Sequence, residues 1–235
     1  MRMAMNRYVS EGAERASLEH DGAVYVAAGL SEHHCQQLEA VLSDNPRNQP
    51  GVRLSGCVEL AQMLVKGSTI SNCVASETGR NLAPVRAILF DKSHDNNWSL
   101  GWHQDRTIVV KKRIETLGFG PWTIKAGLQH VAPPLEILEH MVTIRIHLDD
   151  VPESNAPLLV ALRSHRKGLV AEQGIAELVS RSTVFTCTAA RGDIWIYSTP
   201  ILHASERARS TGRRRVLQVD YSDKALPNGL EWLGV

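Results

Sequence analysis

The sequence contains few cysteines, the residues that are typical of disulfide-rich extracellular proteins and of many zinc-binding proteins. Its 235 residues include four cysteines, which form no CxxC pair and no other zinc-binding spacing. We therefore expect reduced thiols in a cytoplasmic protein rather than a disulfide framework. The four residues are Cys35, Cys57, Cys73 and Cys187. The segment MRMAMNRYVSEGAE at residues 1–14 also lacks the apolar stretch of a secretory signal.

Charge and hydrophobicity exclude two further classes of protein. Lysine and arginine together number 26 and the acidic residues 25, a net charge of +1, so no excess of positive charge predicts binding to nucleic acid. No apolar run approaches the roughly 20 residues that a membrane-spanning helix requires, and we expect no membrane association. The hydrophobic fraction of 43% is sufficient for the core of one sizeable domain, which we expect to occupy residues 1–235.

The first third of the chain predicts helices. Ser31 can cap a helix whose apolar stripe includes Cys35 and Leu38, and Ser68 can cap another that ends at Gly79. A third helical pattern covers residues 58–65. We expect residues 1–83 to form a helical support for the rest of the domain.

Beyond Pro84 the pattern changes to short β-like runs separated by turn residues. Seven strands are predicted, at residues 85–90, 107–110, 142–148, 158–162, 183–188, 193–197 and 215–221, with one helix near residues 171–179. Many short strands with few helices between them favour an antiparallel double layer over a parallel sheet. The predicted fold class is mainly β (α+β), a jelly-roll or cupin-like double-stranded β-helix at residues 84–222 that is buttressed by the N-terminal helices. The glycine- and proline-rich insertion is either a surface loop, which composition alone favours slightly, or an active-site lid. We predict a mobile lid at residues 106–141.

Two HxD motifs could each supply a neutral nitrogen ligand and an anionic oxygen ligand to a metal. One is His103–Asp105, within GWHQD, and the other is His147–Asp149. His203, which follows a predicted strand, is a candidate third ligand. Two histidines and one carboxylate form the facial triad of non-haem Fe(II) oxygenases, and a jelly roll can place an HxD beside a histidine on a later strand. Composition does not choose between the two motifs.

Four segments of the chain resemble the phytanoyl-CoA dioxygenase-like family of Fe(II)/2-oxoglutarate-dependent oxygenases. The residues that carry the resemblance are FDKSHDNNWSLGWHQD (90–105), LDDVPESNAPLLVALRSH (148–165), GDIWIYSTPILHAS (192–205) and GRRRVLQVDYS (212–222). The resemblance covers about residues 84–222. It departs from the family pattern where Leu162–Arg163 replace the usual Pro-Gly before Ser164–His165, a change that we expect to alter a turn and not the chemistry.

The resemblance implies a role for each site residue. His103, Asp105 and His203 would be the iron ligands, and Asp149 with Asp150 would be turn residues. Arg214, helped by Ser205, would hold the far carboxylate of 2-oxoglutarate. Arg145 would either face the co-substrate or form an ion pair with a neighbouring acid.

The activity implied is the hydroxylation of a small organic substrate with consumption of O2 and release of succinate and CO2. Related halogenases lack the carboxylate ligand, so the presence of Asp105 points to hydroxylation. Two alternatives remain open at this level. One is a non-enzymatic, metal-binding barrel, and the other is a cupin-like enzyme that does not use 2-oxoglutarate.

Strand alternation leaves a conflict around Arg214. Arg213 and Arg215 share a face with the more apolar residues of the last strand, whereas Arg214 shares its face with Gln218 and Asp220. We predict that the polar face is the inner one. Lys92 is expected to be a solvated surface charge. Four other histidines are predicted to lie singly in loops, and a site role is the less favoured interpretation for each: His94, His130, His140 and His165.

Overall fold

The structure is a computed structural model that describes residues 17–46, 49–209 and 212–235. Residues 1–14, where the sequence shows no secretory signal, lie outside these ranges. The helices are α1 (Leu18–Asp21), α2 (Glu32–Leu42), α3 (Val58–Leu64), α4 (Thr69–Thr78), α5 (Leu135–Glu139) and α6 (Glu172–Ser180). The strands are β1 (Ala23–Val26), β2 (Val52–Leu54), β3 (Ala83–Lys92), β4 (Leu100–His103), β5 (Ile108–Val110), β6 (Trp122–Lys125), β7 (Leu128–Val131), β8 (Val142–His147), β9 (Leu158–Ala161), β10 (Val184–Cys187), β11 (Ile194–Ser198), β12 (His203–Ser205) and β13 (Arg214–Ser222).

Two antiparallel sheets face each other and enclose the interior of the domain. The large sheet has the strand order β1-β11-β8-β13-β3-β2, and the small sheet has the order β10-β9-β12-β4. Side chains from both sheets meet between them, as when Trp195 and Tyr197 of β11 pack with Val160 of β9. All seven predicted strands are present, with ends that differ by one or two residues from the prediction.

The helices α2 to α4 begin and end where the sequence signals predict. The hydroxyl of Ser31 accepts a hydrogen bond from the backbone N–H of His34, and that of Ser68 accepts one from Ser71. Gly79 ends α4 in the left-handed conformation, with φ +67°. The apolar faces of these helices pack against the outer face of the large sheet and form the main core.

The alternation of side chains along β13 separates its two faces. Leu217, Val219 and Tyr221 lie in the core beneath the helices. Residues on the other face, among them Gln218 and Asp220, are buried between the two sheets. The more apolar face therefore points outwards, because the helices cover it, and the polar face is the inner one, as predicted.

The segment 106–141 contains a small sheet of its own, with the strand order β5-β7-β6. One face of this sheet, with Ile108 and Val131, packs against α5 and the C-terminal residues Leu230 and Trp232. Strands β6 and β7 form a hairpin around Ala126 and Gly127, both with positive φ.

The segment 1–83 contributes strands as well as helices. The strands β1 and β2 occupy the two edges of the large sheet, so the jelly roll extends beyond residues 84–222. In the ranges that the structure describes, no helix is long and apolar enough to cross a membrane.

Candidate metal centre

His103, Asp105 and His203 converge because two neighbouring strands place them together. His103 ends β4 and His203 begins β12, and the two residues are direct partners in this antiparallel pair. Their ring centroids are 4.2 Å apart. Asp105 follows β4 by two residues, and potential ligand atoms of all three side chains lie within 4.8 Å of one another.

Backbone carbonyls orient both imidazole rings. The Nδ1 atoms of His103 and His203 lie 2.7 Å and 2.9 Å from the carbonyl oxygens of Gly101 and Ile201. A carbonyl oxygen only accepts, so Nδ1 donates and Nε2 keeps its lone pair, the arrangement typical of metal-bound histidine. Burial, opposed by the charge of Asp105, lowers the pKa of His203 to about 4 and keeps the ring neutral.

The second HxD motif does not assemble a comparable group. His147 is 2% exposed, and burial, together with the charge of Arg145, lowers its pKa to about 3. The carboxylate of Asp149 accepts hydrogen bonds from the backbone and the guanidinium of Arg215. Within the described ranges, only the group with His103 brings three potential ligands together.

A buried arginine connects Asp105 to the large sheet. The Arg86 guanidinium donates to Asp220 at 2.5 Å and lies 3.3 Å from Asp105. Asp220 also accepts from Thr143 at 3.0 Å. Burial disfavours the charge of Asp105, but Arg86 and then the two histidines hold the pKa of this carboxyl below its usual value. Burial raises the pKa of Asp220, against the influence of Arg86.

Three cationic side chains lie between the sheets with no acidic partner within 4 Å among the described residues. Lys92, Arg145 and Arg214 are 1%, 6% and 2% exposed, and none of them forms an ion pair within the described ranges. The Nε atoms of both arginines are buried and have no hydrogen-bond partner in the part of the chain that the structure describes. Arg145 donates to Gln218 at 3.1 Å, and Arg214 donates to the carbonyl of Ala156.

The charges in this group act on one another. Burial, followed by repulsion from Arg145, lowers the pKa of Arg214 to about 9. Burial and the charges of Arg214 and Arg145 lower the pKa of Lys92 to about 7. Lys92 donates to the hydroxyl of Ser205 at 3.2 Å, which places Ser205 at the same group. Such a concentration of unpaired positive charge is costly unless an anion binds there.

The neighbours of Arg214 have different surroundings. Arg213 forms an ion pair with Asp91 at 2.6 Å, and Arg215 forms one with Asp149 at 2.6 Å. The open alternative for Arg145 is also answered in part, since its contacts include the amide of Gln218, the hydroxyl of Tyr197 and the ring of Phe90, 5.1 Å from the guanidinium carbon. None of these contacts is an ion pair.

Two residues of the interior differ from the sequence prediction. Lys92 is buried and is not a solvated surface charge. His130 lies in β7 and not in a loop, is 1% exposed, and has no hydrogen-bond partner on either ring nitrogen. The polar residues next to Lys92 in the sequence gave no sign of its burial. The run LQHV around His130 does not alternate between apolar and polar residues, so it gave no clear signal of a strand.

Comparisons with known proteins agree with this geometry. The sequence model of the phytanoyl-CoA dioxygenase (PhyH) family matches residues 18–216. A comparison with curated proteins gave no match. Among solved structures, EctD from S. alaskensis with 2-oxoglutarate and 5-hydroxyectoine is 15% identical, with 99% of this chain and 80% of that chain covered and a TM-score of 0.64.

Two further structures show a similar fold. The epimerase SnoN, in complex with Fe3+, alpha ketoglutarate and nogalamycin RO, is 14% identical, with 88% of this chain and 80% of that chain covered and a TM-score of 0.63. AviO1 from Streptomyces viridochromogenes Tue57 is 16% identical, with 90% and 94% covered and a TM-score of 0.62. These similarities confirm the predicted jelly-roll fold.

Proposed function

The chain belongs to the phytanoyl-CoA dioxygenase family, and on that premise we propose that it is an Fe(II)- and 2-oxoglutarate-dependent dioxygenase that hydroxylates a small organic substrate. The single observation that carries the proposal is the convergence of His103, Asp105 and His203 within 4.8 Å. Two neutral nitrogens and one carboxylate are the donor set that suits Fe(II) in such oxygenases. We assign these three residues as the metal ligands.

The cationic group supports 2-oxoglutarate as the co-substrate. Arg214 and Arg145 each have a buried Nε–H without a partner, and a carboxylate of the co-substrate would accept from these donors. An arginine can meet a carboxylate with two parallel hydrogen bonds. We assign Arg214 as the main contact to the far carboxylate, with Arg145, Ser205 and Lys92 beside it.

When bound together, Fe(II) and 2-oxoglutarate would supply the activation of O2, with release of succinate and CO2. The chain itself would orient the three metal ligands, and it would keep the two histidines neutral and Asp105 ionised. The carbonyls of Gly101 and Ile201 hold the two Nδ1–H groups, and Arg86 holds Asp105 ionised. The burial of Arg145 and Arg214 between the sheets would keep water from their hydrogen bonds to the co-substrate.

The segment 106–141 would cover the metal centre as a lid within one domain that includes residues 1–235. Val109 and His130 are buried, although they lie on the face of its sheet that does not pack against α5. The charge of Arg86, which lies 3.3 Å from Asp105, acts on His130. The burial of these two residues and the influence of Arg86 support a position of the segment near the metal centre.

A spectroscopic titration tests the metal and co-substrate assignments. Under anaerobic conditions, Fe(II) with 2-oxoglutarate should give the weak visible charge-transfer band of the chelate, and His103→Ala or His203→Ala should abolish it. His147→Ala is the matched control and should retain the band. Loss of the band in His147→Ala with retention in His103→Ala would show that the wrong HxD was assigned.

Turnover separates the proposed function from its alternatives. With O2 and a library of small organic compounds, the protein should release succinate above the rate seen without a library compound. The chelate band without succinate release would indicate a binding module. Metal binding without the band would indicate a metalloenzyme that does not use 2-oxoglutarate.

A further inference from the structure

We propose that the primary substrate carries an anionic group, a carboxylate or a phosphate, and that Arg53 and His130 bind it beside the metal centre. This inference rests on the proposed function, because it identifies the chemical class of that enzyme's substrate. It concerns a site separate from the one that we assign to 2-oxoglutarate.

Arg53 points towards the interior from an edge strand. It lies in β2, directly opposite Ile88 of β3. Its neighbours Val52 and Leu54 pack in the core beneath the helices, so the side chain of Arg53 lies on the other face of the sheet, the face of Arg86. Its Nε atom is buried and has no hydrogen-bond partner. Burial and then the charge of Arg86 lower the pKa of Arg53.

His130 approaches the same region from the segment 106–141. In the small sheet it is the partner of Val109 on one side and of Thr123 on the other. It is 1% exposed, and neither ring nitrogen has a hydrogen-bond partner among residues 17–46, 49–209 and 212–235. Burial, then the charges of Arg86 and Arg53, lower its pKa to about 4. The ring is therefore neutral, with one N–H to donate and no acceptor.

The charges around these two residues favour an anion. Arg86 is matched by Asp220 and Asp105, whereas Arg53 has no carboxylate within 4 Å among the described residues. Buried polar groups are normally satisfied by a partner. Here a buried donor on each of two side chains lacks a partner among the described residues, and the charge of one of these side chains, Arg53, acts on the other, His130. A carboxylate or phosphate oxygen would accept from both, and its charge would balance that of Arg53.

The anion site is distinct from the co-substrate site. The charges that act on Lys92 are those of Arg214 and Arg145, and the arginines that act on His130 are Arg86 and Arg53. Along β3, Arg86 and Lys92 are six residues apart, about 20 Å in an extended strand. The two groups of cations therefore mark two binding regions of one interior.

An NMR titration tests the anion site without turnover. The probes are acetate and methyl phosphate, with acetamide as the neutral control, added to the Zn(II)-loaded protein saturated with N-oxalylglycine, an unreactive analogue of 2-oxoglutarate. We expect saturable shifts of the His130 ring resonances with both anions and none with acetamide. The resonances are assigned by their absence in His130→Gln.

The variants decide which cation is responsible. Arg53→Gln should raise the dissociation constant of the anions at least tenfold, and Arg53→Lys, which keeps the charge, should raise it less. The matched control is Lys125→Gln, which removes an exposed charge that also acts on His130, and it should change the constant less than twofold. A His130 signal that does not respond, or an equal effect of Lys125→Gln and Arg53→Gln, would overturn the proposal.

Failure of the anion site and failure of the proposed function can be distinguished. The same titration is repeated without zinc and without N-oxalylglycine, where the His130 response should persist. Failure of the chelate and succinate experiments with a retained His130 response would overturn the dioxygenase assignment alone. A chelate band with succinate release but no His130 response would overturn the substrate class alone.

Discussion

Arg214 and its two neighbours show how three identical side chains acquire different roles. The carboxylates of Asp91 and Asp149 neutralise Arg213 and Arg215. Arg214 alternates with them along β13, so it is buried between the sheets and contacts a carbonyl instead of an acid. Its charge is available to a ligand, and the charges of its neighbours are not.

We predict that Arg214→Lys weakens the binding of 2-oxoglutarate by about 1.5–3 kcal/mol, the range for hydrogen bonds to charged groups. Lysine keeps the charge but loses the two parallel donors. Titration of the chelate band with 2-oxoglutarate measures the change. Arg213→Lys and Arg215→Lys are the matched controls and should have little effect. A larger loss of 2-oxoglutarate affinity in either control would show that the neighbouring arginine, and not Arg214, binds the co-substrate.

Arg86 is predicted to position Asp105 for the metal. Arg86→Gln removes the charge that holds Asp105 ionised and leaves Asp220 unpaired, so Fe(II) affinity should fall roughly 10–100-fold, as for other residues that orient metal ligands. The free energy of unfolding should fall by about 3–5 kcal/mol because a buried ion pair loses one partner. Metal titration and urea unfolding measure the two effects separately. An unchanged metal affinity in the folded variant would limit Arg86 to a structural role.

At the scale of the element, Gly192 lies in a turn that packs closely against the residues that precede α2. It precedes β11 with φ +88°, and its backbone bonds to both Leu30 and His147. A Cβ atom at this position would lie 2.6 Å from the carbonyl oxygen of Leu30, closer than a carbon and an oxygen can pack. Only glycine fits the turn without displacing the backbone.

Gly192→Ala should therefore lower the free energy of unfolding by at least about 2 kcal/mol, the sum of a left-handed conformation and an overpacked contact. Gly79→Ala is the matched control. Gly79 also has positive φ, at +67°, but a Cβ there meets no atom within 4 Å, so only the conformational cost of about 1 kcal/mol applies. Equal losses in urea unfolding would show that the contact with Leu30 relaxes.

The segment 106–141 combines buried strands with exposed connections. Val109 and Val131 are 1% and 0% exposed, whereas Leu117 is 98% exposed. We predict fast hydrogen exchange between β5 and β6 in the free protein and slower exchange with Zn(II) and N-oxalylglycine bound, because lids come from the less stable parts of a fold. Exchange measured by mass spectrometry tests this prediction. Equal protection of residues 111–121 in both states would argue against a lid.

At the scale of the whole molecule, the polar interior makes stability depend on pH. Burial lowers the pKa of His147 to about 3 and that of His130 to about 4. Below pH 6.5 the unfolded chain binds protons at these histidines, whereas the folded chain does not. The stability that these two neutral histidines contribute is therefore fully present above pH 6.5. It is lost as the pH falls from 6.5 towards the pKa values of the folded protein, about 4 for His130 and about 3 for His147.

In the metal-free protein, each of these two histidines should lower the free energy of unfolding by up to roughly 1.4 kcal/mol for every unit that the pH falls between 6.5 and about 4.5. His147→Gln should reduce the slope of unfolding free energy against pH by that amount. His94→Gln, at a side chain that is 79% exposed, is the control and should leave the slope unchanged. Identical slopes in the three proteins would show that the fold accommodates a charged His147.

Much of the fold follows from local signals in the sequence. The caps Ser31 and Ser68 and the left-handed Gly79 act within one turn of a helix, and strand alternation along β13 separates Arg214 from Arg213. The hairpin of β6 and β7 was not predicted, because its turn is Ala126–Gly127 and not the more usual Asn-Gly or Asp-Gly. These features depend on residues close together in the chain.

No local pattern chose between His103 and His147; the family resemblance indicated His103, and the tertiary structure places it opposite His203. That placement depends on the pairing of β4 with β12 across about a hundred residues, which no local pattern contains. The same holds for Lys92 and His130, which are buried, and for Arg53, which is partly buried, because elements far apart in the chain cover them. Local sequence determines which face a side chain occupies, but long-range strand pairing determines what lies opposite that face, and only the second of these creates a binding site.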